Sequence, residues 1–133
     1  MNRKNYLKLE FPSYVGNEAF ARTAVTSFAA RFDPAWEELV EIRTAVSEAV
    51  SNCIIHAYPN EIGVITICCR ILEDNVISIV IKDRGVGFHG TLEGHDGMGF
   101  SRMQSCMTEL KVVSAPGKGT TVHMKRKLEK TQG

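Results

Sequence analysis

A chain of 133 residues, 44% of them apolar, has the length of one ordinary domain and enough hydrophobic side chains to fill a core without disulfides or a structural metal. Sixteen basic residues against fifteen acidic ones leave a formal charge of +1, too little for the broad basic field that would hold nucleic acid or an anionic membrane. No stretch approaches the ~20 apolar residues of a spanning helix, and residues 1–8 contain no apolar signal core, so the expectation is a soluble cytoplasmic protein whose residues 1–133 form a single domain.

Residues 6–11 alternate as a half-buried strand does, and Pro12-Ser13 ends them before a helical pattern in which Phe20, Ala24 and Phe28 recur at i, i+4. Asp33-Pro34 reads as an N-cap followed by proline at the first helical position, with Glu37 and Glu38 in the first turn. This second helix is expected to reach about Ala57. Leu39, Ile42, Val46, Ala49, Val50, Cys53 and Ala57 form its apolar stripe, and Tyr58-Pro59-Asn60 stops it. Residues 62–72 and 76–81 are rich in β-branched side chains and flank the turn Glu73-Asp74-Asn75, which predicts a hairpin. Glycine recurs from 85 to 99 without an apolar period, the mark of a loop; Phe100, Met103 and Met107 then resume helical spacing. Two short strands, 110–113 and 120–124, surround Ala115-Pro-Gly-Lys-Gly119. This order predicts an α/β two-layer sandwich: one mixed, mostly antiparallel sheet with helices on one face. Cys53, Cys68, Cys69 and Cys106 form no Cys-x-x-Cys pair and lie among apolar neighbours, which suits a reducing compartment.

Several residues stand out from this framework. Glu48 and Asn52 lie one helical turn apart, with His56 extending the ridge. A solvated helix face carries Glu and Asn as a matter of course, but Ala45, Ala49, Cys53 and Ile55 around them are small or apolar, and asparagine is a poor interior helix former. An amide oxygen beside a carboxylate suits a magnesium–phosphate site: the amide can ligate the ion while the acid orients or deprotonates a nucleophile. Asp83 ends an apolar strand and is followed by Gly85 and Gly87, so a carboxylate stands beside backbone that a ligand can approach closely, although such a turn is common. Gly85-Val-Gly-Phe-His-Gly90 has the G-x-G-x-x-G spacing of a dinucleotide site, yet no amphipathic helix follows it and the preceding hairpin is not a βαβ unit. Gly97-Met98-Gly99 leads into a helix, where backbone N–H groups can face an anion. Gly119-Thr120-Thr121 closes a hairpin turn and offers hydroxyls that could reach a base edge.

Taken in order, Glu48-x-x-x-Asn52, Asp83-x-Gly85-x-Gly87, Gly97-x-Gly99 and Gly119-Thr120 resemble the motif boxes of the Bergerat-fold (GHKL) ATPases, which include gyrase B subunits, heat-shock chaperones, mismatch-repair proteins and histidine kinases. Asn17-Glu-Ala-Phe-Ala-Arg22, the run from Thr44 to His56, and Gly97-Met-Gly-Phe100 look like the anti-sigma F factors of sporulating bacteria, which are serine protein kinases. The resemblance spans nearly the whole chain. It implies a histidine-kinase-like ATP-binding domain in which Asn52 ligates Mg2+ and Glu48 activates the attacking hydroxyl. By the same likeness Asp83 and Thr120 hold the adenine, Gly85 and Gly87 shape the base side, and Gly97, Met98 and Gly99 meet the phosphates. It further implies that Arg22 helps dock the partners, which are a sporulation sigma factor and an anti-anti-sigma protein, and that the chain forms a homodimer. One departure concerns the segment before Gly97. Relatives have a longer lid ending in an arginine that reaches the terminal phosphate, whereas here the segment is short and His95 stands in that place; Lys118 is a further cation that the sequence does not locate. Two activities are therefore compatible with the resemblance: a magnesium–ATP serine kinase, or a nucleotide- and sigma-binding module without turnover. A detached histidine-kinase domain fits less well.

Overall fold

The computed structural model describes residues 5–89 and 98–129. In chain order the elements are β1 (Tyr6–Pro12), α1 (Asn17–Ala30), α2 (Trp36–Asn52), β2 (Val64–Leu72), β3 (Val76–Asp83), α3 (Phe100–Cys106), β4 (Glu109–Ser114) and β5 (Thr120–Lys127). The strands form one sheet in the order β1-β2-β3-β5-β4, and each of its four pairings is antiparallel. The α/β sandwich expected from the sequence is the fold.

Period-two alternation builds the inner face of the sheet. Ile65, Ile67, Cys69 and Ile71 of β2 are buried, as are Ile77, Ile79 and Ile81 of β3 and Val122 and Met124 of β5. The register sets Ile67 opposite Ile81 and Ile79 opposite Met124, so these side chains share one face and one core with the buried stripes of the helices. Each fully buried isoleucine or methionine contributes roughly 1.5–3 kcal/mol, and a one-residue slip would turn the whole row to solvent, which is why the register is fixed. Asp83 follows Ile77, Ile79 and Ile81 in the same period and therefore points inward, toward the helices, at the strand's end.

Two local readings change. Phe20 is 76% exposed, and α1 instead buries Ala21, Val25, Phe28 and Ala29 against α2; alanines at the contact admit a close approach that the Phe20 ring would prevent. The second helix begins at Trp36 rather than at Pro34, and Asp33 takes a left-handed φ of 55°. The reason is Glu38, whose Oε1 accepts the Ala35 N–H at 2.8 Å while Oε2 accepts the Glu129 N–H at 2.8 Å. A buried carboxylate held at both ends pins the helix start to the end of β5, and the Asp33 cap has no part in it. At its other end α2 widens into a π turn over Cys53–Ala57, where the Tyr58 N–H reaches back to the Cys53 carbonyl at 3.2 Å.

Candidate functional site

The end of β3 carries a buried, hydrogen-bonded carboxylate. Asp83 is 4% exposed, and three donors meet its carboxylate: the Gly85 N–H at 2.9 Å and the Thr120 N–H at 3.1 Å on Oδ1, and the Cys53 thiol at 3.4 Å on Oδ2. Burial foremost, and then the Asp83 charge, push the Cys53 thiol well above its ordinary range, so it stays protonated and remains a donor. From sequence Cys53 read only as a small buried hydrophobe; its bond to Asp83 depends on a residue thirty positions away. Tyr58 was likewise missed. Its buried hydroxyl accepts the Arg84 N–H at 2.7 Å and donates to the Val64 carbonyl at 2.8 Å, clamping the turn after β3 to the start of β2.

The glycines of this turn are set by close approach. A Cβ on Gly85 would collide with the Ala57 carbonyl of the π turn, which the Val86 N–H bonds at 3.0 Å. Gly87 has a φ of +66°, and a Cβ there would strike the Ala115 carbonyl in the β4–β5 turn. The Gly117 N–H bonds the Val86 carbonyl at 2.7 Å, and Ser114 Oγ accepts the Phe88 N–H at 2.9 Å and lies 2.7 Å from the Thr120 hydroxyl. Thus Thr120 is joined by a direct bond to Asp83 of the Asp83-x-Gly85-x-Gly87 box, and Gly87 of that box packs against the turn that precedes Thr120.

The α2 ridge forms the opposite side. Asn52 Nδ2 donates to the Met98 carbonyl at 2.5 Å, an acceptor that fixes the amide orientation and identifies Oδ1 as the group left to present to a cation. One turn earlier, Glu48 Oε1 is ion-paired with Arg102 Nη1. Gly99 has a φ of +71°, the left-handed region that favours glycine, and a Cβ there would come within 2.5 Å of Glu48 Oε2, the movable end of that side chain. His56, which extends the ridge in sequence, is exposed and borders a narrow cavity that Asn52 and Asp83 also line.

Two spaces open along this ridge. A narrow cavity of about 30 Å³ is lined by Asn52, Cys53, Asp83, Met98 and Thr120 among others. A wider groove of about 320 Å³ is lined by Arg22, Arg43, Thr44, Ser47, Glu48 and Arg102. Arg22, itself 3.6 Å from Glu18, therefore stands in the same groove as Glu48. Lys118 belongs to the exposed β4–β5 turn and lines neither space. Gly97 and His95 lie outside the described residues. Among the described residues no group of three or more His, Cys, Asp or Glu could enclose a metal. Among the described residues no helix is long and apolar enough to cross a membrane.

Residues 11–126 match the family of the histidine kinase-like ATPase domain. An anti-sigma F factor of Caldanaerobacter subterraneus subsp. tengcongensis is 50% identical, over 93% of this chain and 94% of that protein. Another, from Oceanobacillus iheyensis, is 43% identical over 97% of each. Among solved structures, the RsbU and RsbW domains of a Mycobacterium tuberculosis protein align with a TM-score of 0.74 at 18% identity, over 94% of this chain and 33% of that one, a likeness of fold. The sheet order, the bonded motif residues and these relatives lead to one conclusion: the chain belongs to the anti-sigma F factor family, built on a histidine kinase-like ATPase domain.

Proposed function

We propose that this chain is an anti-sigma factor that holds a sporulation sigma factor inactive and uses magnesium–ATP to phosphorylate a serine of an anti-anti-sigma protein. The observation that carries the nucleotide part is the buried Asp83 carboxylate, held by Gly85, Thr120 and Cys53 at the inner end of β3. An ionised carboxylate accepts but does not donate, so it selects a ligand edge that donates, as the adenine amino group does. Asn52 supplies the amide oxygen for the ion, whose positive charge would offset the negative charge of the phosphates. Glu48, one turn along the same ridge, is placed by the reading as the base that takes the serine proton. The sigma-factor partner follows the names of the relatives, the anti-anti-sigma partner belongs to the motif resemblance, and Arg22 in the groove beside Glu48 is the contact we assign to them. Action in the cytoplasm as a homodimer belongs to the same reading.

A second reading, nucleotide and sigma-factor binding without turnover, is favoured by one observation: the Glu48 carboxylate is occupied by Arg102. Incubation with γ-labelled ATP, magnesium and the cognate antagonist separates the two. Label on the antagonist serine is expected; nucleotide binding without any label would leave only the second reading.

A further inference from the structure

α3 carries a cation, Arg102, in contact with the candidate base Glu48. Along the α2 ridge Asn52 borders the narrow cavity that contains Asp83, while Glu48 borders the arginine-lined groove. In the kinase reading, a nucleotide with its base at Asp83 and its ion at Asn52 would extend its phosphates along the α2 ridge toward Glu48. No lysine or arginine among the described residues lines the narrow cavity. Of the three arginines in the groove, Arg22 is paired with Glu18, and Arg102 is the one whose guanidinium already touches Glu48. Arg102 is one turn beyond Gly99, and Gly99 backbone abuts the same carboxylate, so the guanidinium and the glycine backbone approach Glu48 together.

We propose that Arg102 is the catalytic cation of this protein: when ATP binds, its guanidinium exchanges the Glu48 carboxylate for the terminal phosphate. The inference rests on the kinase reading above. Its side chain is 64% exposed, so the exchange requires only rotation of a solvated stem, and an ion pair held in water is readily broken. The planar fork of arginine can span two phosphate oxygens, where negative charge is greatest during transfer. The same movement releases Glu48 Oε1 to act as base. The acceptor serine Oγ then forms a bond to the γ-phosphorus as its proton passes to Glu48. The bond from that phosphorus to the β–γ bridging oxygen breaks, and ADP leaves with the electron pair. Arg102 neutralises the oxygens throughout and is neither consumed nor deprotonated. One residue thus blocks the base in the absence of ATP and completes the site in its presence.

The test compares wild type, Arg102→Ala and Arg102→Lys as full chains, with thermal melts confirming that all three fold. Calorimetric affinities for magnesium–ATP and magnesium–ADP are measured alongside single-turnover transfer from ATP to the antagonist. Arg102→Ala is expected to lose at least about tenfold in the ATP-over-ADP affinity ratio and more than that in transfer, with ADP affinity unchanged and Arg102→Lys intermediate. Wild-type ratio and rate in Arg102→Ala would overturn the inference and leave the kinase reading intact. Equal weakening of both nucleotides would also overturn it, since that is the signature of a structural role. A wild type that transfers nothing, yet whose ATP preference disappears in Arg102→Ala, would sink the kinase reading and retain the phosphate contact. Absence of nucleotide binding in the wild type would remove both.

Discussion

Asp83 illustrates how one side chain gathers a site. Both carboxylate oxygens accept bonds from the protein, so the group is oriented before any ligand arrives. Asp83→Asn removes one acceptor and places an amide donor against the Gly85 and Thr120 N–H groups or the Cys53 thiol. We expect adenine recognition to weaken by ~1–3 kcal/mol, and Asn52→Ala to abolish the magnesium dependence of nucleotide binding. Calorimetry giving wild-type affinity and magnesium response in both variants would remove the basis for the pocket. Tyr58 carries a different load. Its hydroxyl accepts the Arg84 N–H and donates to the Val64 carbonyl, so Tyr58→Phe removes one partner from each of two backbone groups. Denaturant unfolding should register a loss of ~1–3 kcal/mol; a loss below a few tenths would mean that solvent replaces the clamp at no cost.

Among the elements, α2 does most to organise the site, because its stripe faces the sheet while its ridge of Glu48 and Asn52 faces the two spaces. The π turn at its end has a consequence for the loop after β3: it directs the Ala57 carbonyl at the Val86 N–H, and Gly85 is glycine because that carbonyl fills the place of a side chain. The β4–β5 turn approaches from the other direction. Gly87 and Gly117 both have positive φ, of +66° and +75°, but a Cβ on Gly117 meets nothing within 4 Å, whereas one on Gly87 meets the Ala115 backbone. Gly117→Ala should therefore cost only the left-handed backbone strain, ~1–2 kcal/mol. Gly87→Ala must also displace backbone, so it should cost at least ~1 kcal/mol more in denaturant unfolding and weaken nucleotide binding, which Gly117→Ala should not. Equal losses would show that the two turns do not depend on close approach. The strand periods, the apolar stripe of α2 and the glycine boxes were legible because each is a local pattern. The start of α2 was not, because Asp33-Pro34 is outvoted by a bond from Glu38 to Glu129 across most of the chain.

At the scale of the whole molecule the buried thiols make stability depend on pH. Burial pushes Cys69 from an ordinary 9.0 up to about 12, and burial also raises Cys53 and Cys106. The folded state thus holds these protons more tightly than the unfolded state. The contribution is complete below about pH 9 and is lost as pH rises through the folded value near 12. The melting temperature should fall as pH rises above about 9, and fall less steeply in Cys69→Ala; identical slopes would refute a thiol origin. This core is also where sequence and tertiary structure divide their work. The sequence by itself determined the two-layer α/β architecture with a mostly antiparallel sheet, the apolar strand that ends in Asp83, the ridge of Glu48 and Asn52 and the family, since strand composition, helical spacing and motif order are properties of neighbouring residues. Only the folded chain decided that Phe20 faces solvent, that Cys53 and Tyr58 hold the Asp83 turn, and that Arg102 meets Glu48. Those outcomes depend on which surfaces meet, and the last joins residues 54 positions apart, a distance over which no periodicity carries information.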